Sequence, residues 1–337
     1  MDLSIGTPVD PVPPSVRAAL AGAADAPGYP ATQGTERLRE AAAGWLARRH
    51  RVPAEPASVL PLIGSKELIA SLPAVLGASP GDTVVYPELA YPTYAIGALL
   101  AGATAVAADG LSAVGPRRVA LVWVNSPANP TGRVLPVAHL RKMVDWARER
   151  GAVIAADECY LDLGWEAEPV SILRPEVCGG SAQGVLAVHS LSKRSNMAGY
   201  RAGFVTGDPA LLADLLEIRR HAGMMMPGPV QAAMTAALDD DAHADEQRGR
   251  YAARRTRLRA ALAAAGWETE HSEAGLYLWV ARPGLDCWGS VQLLAEGGIL
   301  VAPGEFYGQA GRSHVRVALT ATDERIDAAV ARLAALA

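Results

Sequence analysis

The sequence contains few cysteines and few aromatic residues, and neither sign of charge dominates. The three cysteines, Cys159, Cys178 and Cys287, lie far apart and form no Cys-x-x-Cys pair. They therefore indicate neither a disulfide framework nor a zinc site, and a reducing cytoplasm is the expected compartment. A net charge of −4 over 337 residues leaves no basic footprint, which argues against a nucleic-acid partner. We attribute the scarcity of phenylalanine to coding bias rather than to function.

Targeting segments, membrane spans and nucleotide motifs are also lacking. Residues 1–6 have neither a positively charged start nor an apolar core, so we predict no signal peptide. No apolar run approaches the roughly 20 residues that cross a bilayer, so no membrane partner is expected. Neither Gly-x-x-x-x-Gly-Lys-Ser/Thr nor Gly-x-Gly-x-x-Gly occurs. This absence argues against a P-loop enzyme and against a nicotinamide-dependent dehydrogenase.

Apolar, strand-like runs alternate with helical patterns through the middle of the chain. Continuous apolar runs such as 119–124 are typical of buried parallel strands. After residue 226 the strands become fewer and the helices longer. We predict an α/β fold in which residues 26–225 form a large domain with a mostly parallel mixed sheet covered by helices. Residues 1–25 and 226–337 are predicted to form a smaller α+β domain.

One lysine lies just past a predicted buried strand at 185–188, within the segment Ser190 to Arg201. Leaving a lysine at such a position is costly unless its charge or its amine is used. We predict that Lys193 forms a Schiff base with an aldehyde cofactor. The alternative is a surface lysine in a connecting loop, and for any lysine taken alone that alternative is the better one.

Further polar residues follow other predicted strands. Ligands of open α/β sheets bind at the carboxyl ends of the strands, which makes Ser65 with Lys66, Asn129 and Asp157 candidates. Each position also has an ordinary interpretation. Ser65 could begin a helix as a cap, Asn129 could occupy a plain turn, and Asp157 could be a helix cap or a member of a buried ion pair.

Taken together, these positions suit pyridoxal phosphate. The cofactor needs a lysine for its aldehyde, a carboxylate for its ring nitrogen, donors for its phenolic oxygen, an anion nest for its phosphate and an aromatic side chain on its ring. The residues that meet these needs are, in that order, Lys193; Asp157; Asn129 with Tyr160; Ser65, Lys66, Ser190 and Arg201; and Tyr91.

The sequence resembles the class I/II, fold-type I aminotransferases over nearly its whole length. The motifs that carry this resemblance are Asn129-Pro130-Thr131-Gly132, Asp157-Glu158-Cys159-Tyr160, Ser190-Leu191-Ser192-Lys193, Gly199-Tyr200-Arg201 and Val315-Arg316-Val317-Ala318-Leu319. Within this family, Gly64-Ser65-Lys66-Glu67-Leu68 and Ala90-Tyr91-Pro92-Thr93-Tyr94 are similar to segments of actinobacterial succinyldiaminopimelate aminotransferases.

The resemblance implies a fold-type I enzyme that uses pyridoxal phosphate and takes amino acids and 2-oxo acids as substrates. It implies catalytic roles for Lys193, Asp157 and Tyr160. Tyr29 would reach the phosphate in the neighbouring subunit, so a homodimer is implied. The remaining cofactor-binding residues would be Gly64, Ser65, Lys66, Tyr91, Asn129, Ser190, Ser192 and Arg201, and the substrate-binding residues would be Gly6, Asn129 and Arg316.

The resemblance further implies that glutamate donates the amino group that converts a 2-oxo precursor to N-succinyl-LL-diaminopimelate, on the way to lysine. Another aminotransferase, a C–S lyase or a decarboxylase on the same fold would share these motifs. A non-catalytic pyridoxal-phosphate regulator is disfavoured, because no segment fits an added DNA-binding domain. The family commonly carries an N-terminal arm before the loop at Gly6, where this sequence has five residues. The resemblance therefore implies no particular lid or dimer contacts for such an arm in this chain.

Overall fold

A seven-stranded sheet lies at the centre of the structure, a computed structural model in which residues 1–336 are described. Its strands are β1 (Val59–Ile63), β2 (Thr83–Tyr86), β3 (Thr104–Ala107), β4 (Val119–Asn125), β5 (Val153–Asp157), β6 (Val185–Ser190) and β7 (Ala202–Gly207). They lie in the order β1-β7-β6-β5-β4-β2-β3. Neighbours from β3 to β6 are parallel, and β7 is antiparallel to both β6 and β1. The prediction of a mostly parallel mixed sheet is confirmed.

Helices cover both faces of this sheet. They are α1 (Pro14–Gly22), α2 (Glu36–His50), α3 (Ser65–Val75), α4 (Thr93–Leu100), α5 (Val137–Glu149), α6 (Pro175–Cys178), α7 (Leu191–Arg194), α8 (Pro209–His221) and α9 (Gly228–Asp239). Side chains alternate across a strand, so Val122 of β4 packs into the core that contains α2 and α5. Its neighbour Trp123 packs into the opposite core with α3 and α4. A strand buried on both faces explains the continuous apolar run in the sequence.

A second, four-stranded sheet forms from the later part of the chain. Its strands are β8 (Glu268–Glu270), β9 (Tyr277–Ala281), β10 (Ala302–Pro303) and β11 (His314–Ala318), in the antiparallel order β10-β11-β9-β8. It packs with α10 (Ala242–Ala264), α11 (Cys287–Glu296) and α12 (Asp323–Ala334). Leu3 joins this core, and its N–H and C=O bond to Leu300 and Ala318 at 2.8 Å each. The N-terminal segment is thereby tied to the second sheet.

The division of the chain into residues 26–225 and residues 1–25 with 226–337 stays a prediction. In the structure, Val16 of α1 and Ala233 of α9 share one core with the large sheet. Leu3 and Ser4 instead bond residues in and beside the smaller sheet. Among residues 1–336, no helix is both long and apolar enough to cross a membrane.

A buried ion pair fixes the N-terminal segment against α10. Arg254 is 1% exposed, and its Nη1 and Nη2 donate to the two carboxylate oxygens of Asp10 at 2.7 and 2.6 Å. Its Nε donates to Asp323 at 3.1 Å. Burial alone would raise the pKa of Asp10, but the hydrogen bonds from Arg254 and Gln247 lower it below its usual value. Removing the guanidinium would leave a buried carboxylate without its cation.

We expect Arg254→Leu to lower the free energy of unfolding at pH 7 by about 3 kcal/mol, measured by urea titration of tryptophan fluorescence. The matched control is Arg257→Leu, which removes a half-exposed partner of Asp323 and should cost about 0.5 kcal/mol. Because the pKa of Asp10 is lowered on folding, its contribution is complete above about pH 4 and is lost as the pH falls through the folded value. The assignment would be contradicted if both variants lost the same free energy of unfolding. It would also be contradicted if the difference between them at pH 7 remained in acid.

Candidate active site

A cavity of about 420 Å³ opens at one edge of the large sheet. Because β1 and β6 both lie antiparallel to β7, the carboxyl ends of β1, β4, β5 and β6 meet there. A wider groove of about 540 Å³ beside Arg174 contains none of the sequence-predicted residues. The sequence-predicted residues that line the 420 Å³ cavity are Gly6, Ser65, Lys66, Tyr91, Asn129, Asp157, Tyr160, Ser190, Ser192, Lys193, Arg201 and Arg316.

Two of the expected residues do not line the cavity. Gly64 immediately precedes α3 at φ +77°, and a Cβ there would collide with the guanidinium of Arg201. The missing side chain therefore allows Arg201 to lie across the start of α3. Tyr29 is 95% exposed on the surface of its own subunit, and the predicted contact with a neighbouring subunit stays a prediction.

Lys193 lies on the short helix α7, directly after β6. The hydroxyl of Ser190 caps this helix by accepting the N–H of Ser192 at 3.2 Å. The Lys193 ammonium donates to the carbonyl oxygen of Gly6. Burial lowers the pKa of Lys193, which raises the fraction of amine available as a nucleophile or base. A Cβ on Gly6 would overlap the hydroxyl of Tyr277, so a larger residue at this position would displace that tyrosine.

The next residue anchors α7 from behind. Arg194 is buried, and its Nε donates to Asp162 at 2.6 Å while its Nη1 donates to the carbonyl of Ala237 at 2.9 Å. Burial alone would raise the pKa of Asp162, but His50 and Arg194 lower it well below its usual value. The charge on Asp162 is therefore retained, and this ion pair holds the helix that presents Lys193 to the cavity.

Asp157 is a fully buried carboxylate at the end of β5. Its Oδ1 accepts the N–H of Cys159 at 3.2 Å, and its Oδ2 accepts the hydroxyl of Tyr94 at 2.8 Å. Burial raises its pKa, and the hydrogen bonds from Cys159 and Tyr94 oppose that rise. Asn125 donates to the backbone carbonyl of Asp157 at 2.9 Å and accepts the N–H of Asn129 at 2.7 Å. Neighbouring strand ends are thus held in one arrangement.

Two tyrosines connect the cofactor side of the cavity to Arg316. The hydroxyl groups of Tyr160 and Tyr277 lie 3.2 Å apart. The guanidinium of Arg316 lies 3.9 Å from the ring centroid of Tyr277 and 4.8 Å from that of Tyr307. Burial works to raise the pKa of Tyr277, but Arg316 and Lys193 lower it overall. Cation–π contact on two sides fixes the plane of the guanidinium.

Arg316 keeps hydrogen-bond donors for a ligand. Its Nη1 donates to the side-chain oxygen of Asn129 at 2.8 Å, and its Nη2 donates to the carbonyl of Ser4 at 2.6 Å. Among residues 1–336 its buried Nε has no partner, and each Nη carries a second N–H. A planar, buried guanidinium of this kind suits a carboxylate. Because Arg316 donates to the side-chain oxygen of Asn129, the side-chain N–H groups of Asn129 can donate to a ligand.

Sequence reasoning assigned no site role to Tyr94, Tyr277 or Tyr307. Tyr94 lies in one of the segments that carry the resemblance, and Tyr277 begins a strand that the apolar pattern indicates. Neither position is marked by a charge, a glycine or a turn. An aromatic residue in a regular helix or strand is usually part of a core, so no local signal separates these three from core residues.

The donor set of this cavity fits pyridoxal phosphate. No side chain caps the start of α3, so its free N–H groups, with Arg201 and the hydroxyls of Ser190 and Ser192, form an anion nest. The buried Asp157 suits a protonated ring nitrogen, and the buried amine of Lys193 suits an aldehyde. Fold and site together define a pyridoxal-phosphate enzyme of fold type I.

The profile of the family described as "Aminotransferase class I and II" matches residues 1–333. A probable aminotransferase of Mycobacterium tuberculosis is 62% identical over 99% of this chain and 80% of its own length. The 4-dedimethylamino-4-oxo-anhydrotetracycline transaminase OxyQ of Streptomyces rimosus is 60% identical over 99% of this chain and 92% of its own length.

Solved structures agree with these relatives. A probable N-succinyldiaminopimelate aminotransferase from Thermus thermophilus superimposes with a TM-score of 0.89 at 31% identity, covering 100% of this chain and 95% of its own. The chain belongs to the class I and II aminotransferases. It is a pyridoxal-phosphate-dependent transaminase, with amino acids and oxo acids as the substrates of its family.

We expect Arg316→Lys to raise the KM for every α-carboxylate substrate by about 10- to 100-fold, because an ammonium cannot form two parallel bonds to a carboxylate. Steady-state kinetics with varied amino donor measures the change. Arg312→Lys alters an exposed arginine whose side chain, within residues 1–336, bonds Gln309 alone, and its KM should stay within about twofold of wild type. An unchanged KM in Arg316→Lys would remove this residue from the substrate site.

Proposed function

We propose that this transaminase takes the amino group of glutamate and transfers it to the 2-oxo precursor of N-succinyl-LL-diaminopimelate, releasing 2-oxoglutarate. This reaction would serve diaminopimelate and lysine biosynthesis in the cytoplasm. The observation that carries the transaminase chemistry is the convergence of Lys193, Asp157 and Arg316 on one cavity. The succinylated acceptor is supported by the relative from Thermus thermophilus, whose name includes it.

The charges of the cavity favour polycarboxylate substrates. Its lining contains four cationic side chains, Lys66, Lys193, Arg201 and Arg316, and a single carboxylate, that of Asp157. Lys66 and Arg201 are assigned to the phosphate, Lys193 to the cofactor aldehyde and Arg316 to one substrate carboxylate, so a second carboxylate would be attracted by the combined field of these cations. Glutamate and succinylated diaminopimelate both carry more than one carboxylate, so the field of the cavity attracts them.

Pyridoxal phosphate, when bound, supplies an aldehyde for amines and a ring that withdraws electrons from the substrate Cα. In the proposed mechanism the Lys193 amine accepts the Cα proton of the amino acid and returns a proton to complete the transfer. Asp157 would place its negative charge against the ring nitrogen. Tyr160 and the Asn129 amide would donate to the phenolic oxygen. Arg316 orients the substrate by its α-carboxylate.

A second candidate acceptor is the 4-oxo group of a tetracycline-type ring. The 60% identical relative from Streptomyces rimosus is named for 4-dedimethylamino-4-oxo-anhydrotetracycline, and that identity is about twice the 31% of the relative named for succinyldiaminopimelate. Such a substrate would need the cavity mouth to accept a wide ring system.

A panel of oxo acceptors assayed with glutamate decides between these acceptors. We expect the succinylated acceptor to give a kcat/KM at least about tenfold above that of oxaloacetate, pyruvate and the 4-oxo tetracycline, because it carries more carboxylates than any of them into a cavity whose charged lining is mostly cationic. Release of 2-oxoglutarate is the readout. A tetracycline acceptor that exceeds the succinylated one would replace the proposed substrate, whereas absence of transfer from glutamate to every acceptor would overturn the proposed reaction.

We expect Lys193→Ala to lose both turnover and the visible absorbance of the lysine-bound cofactor, since no other lining residue offers a buried amine. The chain has only three lysines, Lys66, Lys142 and Lys193, so borohydride reduction followed by peptide mass spectrometry locates the cofactor directly. Lys142→Ala is the control, because Lys142 lies on α5 outside the cavity. Cofactor trapped on Lys66 or Lys142 in the wild type would contradict the role of Lys193.

We also propose a homodimer in which Tyr29 completes the phosphate site of its partner. Support comes from the exposure of Tyr29 and from the apolar side chains of Ile96, Leu99 and Leu100, which are exposed on α4. Sedimentation equilibrium should give twice the chain mass. Tyr29→Phe should weaken cofactor binding by about tenfold through loss of a bond to a charged group. A monomer with full activity would contradict the proposal.

A further inference from the structure

We propose that Tyr94 is a positioning residue, whose hydroxyl holds the Asp157 carboxylate ionised and turned toward the ring nitrogen of the bound cofactor. The inference rests on the proposed role of Asp157. It assigns a function to a side chain that contributes nothing to the cavity lining.

The bond between the two residues lies entirely inside the protein. Tyr94 is 0% exposed, in the first turn of α4, and its hydroxyl donates to Oδ2 of Asp157 at 2.8 Å. The other oxygen, Oδ1, accepts the N–H of Cys159 at 3.2 Å. The Cys159 thiol also lies beside this carboxylate and acts to lower its pKa. Since the two oxygens of a carboxylate together accept about four hydrogen bonds, Asp157 keeps acceptor capacity for a ligand.

The ring of Tyr94 is held by contacts that do not involve its hydroxyl. It stacks on Trp123 with centroids 5.1 Å apart and an interplanar angle of 27°. The ring of Tyr91, which lines the cavity, meets it nearly at a right angle with centroids 6.1 Å apart. Removing only the hydroxyl therefore leaves the packing in place, and the effect of the hydrogen bond can be measured separately.

A buried phenol donor favours the charged form of its acceptor. Burial raises the pKa of Tyr94 well above its usual value, so the group remains a donor throughout the working range. Its bond lowers the pKa of Asp157 against the effect of burial. The other titratable groups near the carboxylate are Cys159 and Tyr160, and the charged groups of the surrounding lining are Lys66, Lys193, Arg201 and Arg316.

The test is a double-mutant cycle with Tyr94→Phe, Asp157→Asn and the combined variant, read out by the dissociation constant of pyridoxal phosphate and by the pH midpoint of its visible absorbance. We expect Tyr94→Phe to weaken binding by about tenfold and to raise the midpoint by about one pH unit. The reason is electrostatic. When Asp157 is less fully ionised, the ring nitrogen of the cofactor is protonated less of the time. Its positive charge then opposes protonation of the Lys193 nitrogen less, so the pH midpoint rises. In the Asp157→Asn background the same substitution should change neither quantity.

Tyr86→Phe is the control, because it removes a tyrosine hydroxyl from β2 outside the cavity and should leave both quantities unchanged. The proposal is overturned if Tyr94→Phe matches wild type in both readouts. It is also overturned if the substitution weakens binding equally with and without Asp157, since that result would indicate a purely structural role. If Asp157→Asn itself binds the cofactor as wild type does, the role of Asp157 fails along with that of Tyr94. None of these readouts uses an oxo acceptor. An error in the proposed substrate would leave them unchanged, so it can be distinguished from an error in the role of Tyr94.

Discussion

The candidate active site contains one buried carboxylate, whose charge the surrounding residues must compensate. Asp157 lies at the end of a strand that is covered on both faces, where an isolated carboxylate is strongly disfavoured. Donors from Tyr94 and Cys159 reduce that cost, and a protonated ring nitrogen of pyridoxal phosphate would supply the missing cation. The apolar core buries Asp157, and a buried carboxylate requires a compensating positive charge. The cofactor of this family can supply that charge.

The two sheets contribute different parts of the cavity. The large sheet supplies the strand ends that carry Asn129 and Asp157, with Lys193 on the helix that follows its sixth strand. The second sheet supplies Arg316, and the N-terminal segment bonded to that sheet supplies Gly6. Buried arginines stabilise both parts, since Arg254 fixes the N-terminal segment and Arg194 fixes the lysine helix. Both arginines are buried, so the attraction within these ion pairs is screened less by water than that of a surface pair.

Much of the fold was predictable because strands buried on both faces leave long apolar runs, and amphipathic helices leave a clear period. Lys193, Asp157 and Asn129 stood out because polar residues at the ends of apolar strands are unusual. Arg316 lies within a buried strand, and only the resemblance to a family pointed to it. The roles of these residues remain predictions, but their convergence on one cavity is a property of the structure.

By itself, the sequence determined the mostly parallel sheet and the residue types that a pyridoxal-phosphate site requires, because both depend on local patterns of polarity. Only the tertiary structure decided that Tyr94 reaches Asp157 and that Tyr277 and Tyr307 enclose Arg316. These contacts join residues that are 63, 39 and 9 positions apart in the chain. Arg316 and Tyr277 lie on two strands of the second sheet, and Tyr307 lies in the segment between β10 and β11. A tyrosine in a regular element carries no local mark of the partner that folding will bring to it.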